Sequence, residues 1–132
     1  MRTSDLIGYQ YVVLRCVPRV DREEFVNVAV VLYSQRADYL RSRSDVDESR
    51  LTAIAPGFDV GAVHEALEAV EDVCEGRPSA GLPGQATRSA RFGFLTAPRS
   101  TVVQPGPIHG GLTADPDAEL SSLVARLVTA PV

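Results

Sequence analysis

Four side chains have the type and spacing to do chemistry. Arg15 and Asn27 lie in two segments of β character, Glu24 stands at the mouth of the hairpin these make, and His109 precedes Gly110-Gly111. An arginine facing an asparagine between tyrosines offers a planar fork and an amide, a pair that grips a carboxylate or phosphate bidentately. A histidine before two glycines can act as general base while backbone N–H groups approach an anion. Each has a plainer account, and the plainer accounts are the expected ones. Arg15 and Glu24 form an ion pair, and Asn27 satisfies backbone groups. His109 packs or caps beside turn glycines. The helix after His109 opens with Asp115, Asp117 and Glu119, carboxylates that repel an anion at that end. His109 stays the best single candidate if the protein is an enzyme.

Other signatures are absent from the sequence. There is no Gly-x-Ser-x-Gly elbow and no phosphate loop with Gly-Lys-Ser/Thr. His64 and His109 are far apart and neither neighbours a Cys or another His, so no metal site is expected, and nothing calls for a cofactor. His64 is assigned no chemistry. The carboxylates of Glu23-Glu24 and of Asp45 and Asp47 fall in loops, where solvation is the usual state. Cys16 and Cys74 each sit in an apolar pattern, as small buried hydrophobes rather than a disulfide.

Bulk properties narrow the classes. The chain has 132 residues, 45% hydrophobic and 23% charged, with a net charge of −4. That suits one domain over residues 1–132 with a sizeable core, and it excludes a disordered chain. No stretch approaches the roughly 20 apolar residues that span a bilayer, and no leader is visible, so a cytoplasmic place is expected. All 13 positive charges are arginine, a habit of GC-rich genes. Arg36, Arg41, Arg43 and Arg50 form one group, and Arg88, Arg91 and Arg99 another. Acids interrupt the first group, and the net charge is negative, so nucleic-acid binding is not expected. Salt-sensitive RNA or DNA contact through Arg41 and Arg43 is the weakest of the readings.

The elements that must position these groups follow from periodicity. Residues 9–17 and 25–33 are β-branched and aromatic, separated by a polar loop, and predict an antiparallel hairpin. Val12, Leu14 and Cys16 with Val26, Val28, Val30 and Leu32 form the expected core face. Tyr9, Tyr11, Val13, Arg15 and Val17 with Phe25, Asn27, Ala29, Val31 and Tyr33 form the other. Paired numbers then have an even sum, about 42, which brings Arg15 beside Asn27 and Tyr9 near Tyr33. Residues 37–42 predict a third strand near an edge. Residues 51–55 form a helical turn. A helix capped by Asp59 and closed by Gly76 carries an acidic outer face with Glu65, Glu68, Glu71, Asp72 and Glu75. Residues 76–87 read as a connector, 90–96 as a fourth strand, 101–104 as a short fifth, and 104–112 as a turning segment. A last helix starts with Asp115 as cap and Pro116, shows the stripe Leu120, Leu123, Val124, Leu127 and Val128, and stops at Pro131. The sum is an α+β fold: a mostly antiparallel sheet built on an N-terminal hairpin, with two main helices packed on one face.

The run Tyr11-Val12-Val13-Leu14-Arg15-Cys16-Val17-Pro18, the run Glu24-Phe25-Val26-Asn27-Val28-Ala29-Val30-Val31-Leu32, and Arg91-Phe92-Gly93-Phe94-Leu95 resemble segments of a bacterial family. Val102-Val103-Gln104 and the stretch from Ile108-His109 to Asp115-Pro116 do so too. The family is that of domain of unknown function 3037, and the resemblance covers nearly the whole chain. Family members usually have glycine where this chain has Ala29. The resemblance implies little biochemistry. Relatives are often encoded beside a kinase-like protein of the HipA type, which implies an accessory role.

The function expected is therefore a small cytoplasmic, non-catalytic accessory or protein-interaction module, with a HipA-like kinase as the implied partner or with a second copy of itself. The acidic helix face and the tyrosine-rich second sheet face are the expected surfaces. The alternative is a small enzyme or a nucleotide- or anion-binding domain using Arg15, Glu24, Asn27 and His109.

Overall fold

A computed structural model describes residues 5–99 and 101–129. Residues 1–4, part of the sequence reading for a leader, and the helix stop at Pro131 lie outside the described residues. The chain folds as α+β around a five-stranded antiparallel sheet. Strands β1 (Ile7–Arg19) and β2 (Glu24–Ser34) make the hairpin, joined through a short 3-10 turn at Val20–Arg22. Strand β3 (Tyr39–Ser44) flanks β2 as an edge. Helices α1 (Glu48–Ile54), α2 (Val60–Glu75), α3 (Leu82–Gln85) and α4 (Arg88–Thr96) follow. Strands β4 (Val103–Pro105) and β5 (His109–Thr113) both pair with β1, on the side away from β2. Helix α5 (Pro116–Val124) continues as a wider π-helical turn over Ala125–Thr129. No helix among the described residues is long and apolar enough to cross a membrane.

The capping signals act where the sequence places them. The Asp59 carboxylate accepts from the Ala62 N–H at 3.3 Å, and Gly76 closes α2 in the left-handed region at φ 68°. The Asp115 carboxylate accepts from the N–H groups of Asp117 and Ala118 at 3.1 and 3.2 Å.

The hairpin register corrects the even-sum expectation. From Gln10↔Tyr33 to Leu14↔Ala29 the pairing is odd. Val28 is then left over as a bulge, and Arg15↔Asn27 and Cys16↔Val26 return to the even register. The bulge inverts the alternation of β2. Val26, Val28, Ala29 and Val31 join Val12, Leu14 and Cys16 on one face, while Val30 and Leu32 turn to the other. Tyr33 stacks on Phe92 on the first face and Tyr9 tilts against Tyr11 on the second, so the two tyrosines expected to be neighbours lie on opposite faces.

Both faces are covered, which corrects the one-sided packing. Leu51 of α1, Val63, Leu67, Val73 and Cys74 of α2, and Phe92 and Leu95 of α4 cover the first. Leu120, Leu123 and Val128 cover the second, against Val30, Leu32, Tyr9, Tyr11 and Val13. The tyrosine-rich face is thus the seat of the last helix and not a free surface. That helix is strapped at its start. Asp117 Oδ1 accepts from Tyr39 Oη at 2.8 Å and Arg43 Nη2 at 2.7 Å, and Arg43 also reaches the Ser121 hydroxyl. The guanidinium of Arg43, and after it the Tyr39 hydroxyl, hold the Asp117 carboxyl below its usual range. Arg43 is therefore committed to α5.

Two segments change type. The stretch expected as a fourth strand is α4: Thr87 caps it by accepting from the Ala90 N–H at 3.2 Å, and Phe92 and Leu95, three apart, point into the core. The Phe92-Gly93-Phe94 alternation is too short to tell a strand from a helix. The segment expected only to turn contains β5. Its glycines serve close approach and not a turn: a Cβ at Gly111 would stand 2.6 Å from Tyr9 Oη, because the Tyr9 ring folds over its cross-strand partner. Gly111→Ala is expected to lower unfolding free energy by about 1–3 kcal/mol, since the ring must leave its place against α5. Urea titration checks this, and an unchanged midpoint would contradict the packing.

Cys16 and Cys74 are both buried as free thiols. Burial pushes their pKa values up, to about 11 for Cys16 and about 12 for Cys74. The fold thus favours the neutral thiol, and stability falls as pH rises past the unfolded thiol's value of about 8.5. Iodoacetamide at pH 8 is expected to leave both unmodified in the native protein and to label both in urea. Native labelling of either would overturn their placement.

Candidate functional site

Arg15 sits beside the bulge, paired through its backbone with Asn27 on one side and Gln104 on the other. Its guanidinium carbon lies 4.2 Å from the centre of the Phe25 ring, a cation–π contact. On the adjoining edge the chain is held close by the Gly106 N–H, which donates to Val13 O at 2.9 Å. A side chain at Gly106 would collide with the Arg15 guanidinium. Arg15 Nε is buried with no hydrogen-bond partner among the described residues.

The expected ion pair to Glu24 is not formed. Glu24 faces Arg19 across the hairpin and bonds Arg22 Nε at 2.5 Å. The 3-10 turn and the left-handed backbone of Glu23, at φ 56°, bring Arg22 back over Glu24 and leave Arg15 to Phe25. Asn27 Nδ2 donates to Leu127 O at 3.0 Å, a carbonyl at the C-terminal end of the last helix, where backbone acceptors lack helical partners. Asn27 therefore anchors the helix end. The Thr129 hydroxyl adds a second tie to Asp45 at 2.6 Å.

His109 opens β5 opposite Tyr11, and the two rings stack at 5.2 Å between centres. Tyr11 and Arg15 are four residues apart on one strand, which places His109 roughly 13 Å from Arg15 along the sheet. The four candidates thus divide. Arg15 and Asn27 meet, with Phe25; Glu24 turns to Arg22; His109 belongs to the β5 end. Phe25 and Gly106 were not singled out from the sequence. Phe25 had a signal, since it shares the face of Asn27 two residues away. Gly106 had none beyond its place between Pro105 and Pro107.

The three edges of the sheet differ in how they are protected. β3 carries Arg41 and Arg43, charges of the kind that block strand addition. β4 is three residues long and ends in Pro105. β5 has two glycines, no proline and no Arg, Lys, Asp or Glu. β1 is its recorded partner, so its outer edge has no strand among the described residues. Leu112 on this strand is 63% exposed and Ile108 just before it is 51% exposed. Leu112 sits opposite Gly8, and nothing across the pair shields it.

The result is a small α+β protein with helices on both faces of its sheet and, among the described residues, a β5 edge that no strand covers. The family model for a protein of unknown function, DUF3037, matches residues 11–128, and the chain belongs to that family. The match runs from Tyr11 in β1 to Val128 at the end of the last helix, so Arg15, Asn27 and β5 all lie within it. No curated protein and no solved structure matches the chain.

Proposed function

We propose that the protein is a non-catalytic accessory module of the bacterial cytoplasm, acting as one domain over residues 1–132, that docks another protein along β5. The observation that carries this reading is the bare β5 edge with Leu112 and Ile108 exposed beside it. An extended segment added there gains main-chain hydrogen bonds, and alternate side chains meet the two apolar residues. The partner implied by the family resemblance is a HipA-like kinase; the competing partner is a second copy of the chain. Tagged protein purified from its own host is expected to carry the kinase through gel filtration. A bare monomer with no co-eluting protein would count against the reading.

A second reading, an enzyme or anion-binding domain on Arg15, Glu24, Asn27 and His109, has one observation behind it: Arg15 stands without a carboxylate partner among the described residues. The distance of His109 and the engagement of Glu24 with Arg22 weigh against it.

A further inference from the structure

A half-open cavity of about 350 Å³ lies where α2, α4 and β4 meet, away from both β5 and Arg15. Its floor is Leu14, Val73, Leu95 and Val103, all buried core residues, with Val70 on the wall. The volume is at the small end of the range of ligand pockets, and the apolar lining with few polar groups matches their usual character.

The polar groups at the rim are unequal. Asp72 is already engaged by Arg77 Nη1 at 2.8 Å. Arg99 is half-buried and makes no ion pair among the described residues. Its guanidinium carbon lies 4.1 Å from the centre of the Phe94 ring, and Nη2 donates to the Phe94 carbonyl at 2.6 Å. The ring and that acceptor fix the planar head at the cavity mouth and leave its other donors without a protein partner among the described residues. Burial lowers the Arg99 pKa. A desolvated cation beside an apolar hollow lacks one thing, an anion joined to an apolar body.

We propose that this cavity binds a small amphipathic carboxylate, its hydrocarbon on Leu14, Val73, Leu95 and Val103 and its head forked by Arg99. A singly charged head fits better than a phosphate monoester. The latter carries about −1.5 to −2 charges at neutral pH, while the described lining offers Arg99 as its cation and also holds the Asp72 carboxylate.

The test titrates the whole chain with decanoate, with decanol as neutral control and decyl phosphate as dianionic control, reading backbone amide shifts and calorimetry. Saturable one-to-one binding of decanoate is expected, with shifts confined to α2, α4, β4, Leu14 of β1 and the loops that line the cavity. Decanol and decyl phosphate are each expected to bind about tenfold more weakly. Arg99→Gln, at a half-buried loop position outside the core, is expected to reduce decanoate to the affinity of decanol. Ala69→Phe, which fills the cavity from the solvent side of α2, is expected to abolish binding of both. Non-saturable binding, equal affinity for decanoate and decanol, a preference for decyl phosphate, or decanoate affinity unchanged in either variant would overturn the proposal.

Discussion

Leu120→Ala is expected to lower the free energy of unfolding by about 2–5 kcal/mol. Leu120 is fully buried at 0% exposure, in a cluster of only five buried residues with Val30, Leu32, Leu123 and Val128. This cluster, with the partly buried Tyr9, Tyr11, Val13, Tyr39, Val124 and Leu127 around it, holds the last helix by hydrophobic contact. The polar ties at Asp117, Asn27 and Thr129 lie at its two ends and are mostly exposed. Removing three carbons from its centre loses their transfer energy and leaves a hollow that the rigid sheet cannot close. Typical domains hold about 5–15 kcal/mol in total, so the loss is a large fraction. It should act locally first: amide exchange in α5 should accelerate more than in α2, because the first face keeps its own larger core. Urea unfolding read by circular dichroism checks the size, and a change below about 0.5 kcal/mol would mean that the helix is not seated as described.

The second large effect concerns binding. Replacing Ile108 and Leu112 together by arginine is expected to weaken the partner complex by about 2 kcal/mol or more, roughly 30-fold. Both side chains are exposed in the free chain, so the pair should leave the melting temperature almost unchanged. In a complex built on β5 they flank the added strand, and two charges there must be desolvated without partners. The companion change Arg41→Ala on β3, the opposite edge, should leave the complex intact. Kd by calorimetry against the purified HipA-like kinase measures both. Equal affinity of the Ile108/Leu112 double variant and the wild type would remove β5 from the interface.

Much of this architecture was legible in the residues. Asp59 with Gly76, and Asp115 with Pro116, marked the two main helices because caps are local chemistry. The hairpin and the neighbouring of Arg15 and Asn27 were legible too. The register was not, and the reason lies in the run Val26 to Leu32. It is apolar almost throughout because the strand is buried on both faces, so alternation cannot say which residue faces which core. Nothing in that run announces that Val28 is the bulged residue. Strand β5 was hidden because Gly110-Gly111 has the composition of a turn. What makes it a strand is Tyr9, a hundred residues earlier, folding over Gly111. The same non-locality hid the role of Arg15. Its placement inside an apolar strand flagged it, but its real neighbours, Phe25 and Gly106, come from the hairpin and from the far end of the chain. From the sequence the tyrosine face reads as an interaction surface, because its cover, α5, lies at the far end of the chain. Once that face is closed, the two most exposed large hydrophobic residues described, Ile108 and Leu112, stand at the β5 edge.

If β5 receives a partner strand, amide hydrogen exchange on the purified complex shows it residue by residue. Mass spectrometry or NMR should follow His109–Thr113, with β3 at Tyr39–Ser44 as internal reference. The outward amides of β5 are expected to exchange quickly in the free chain and to become strongly protected in the complex, while those of β3 do not change. Protection confined to β3 or to the acidic face of α2, with β5 exchanging as fast as in the free chain, would contradict it.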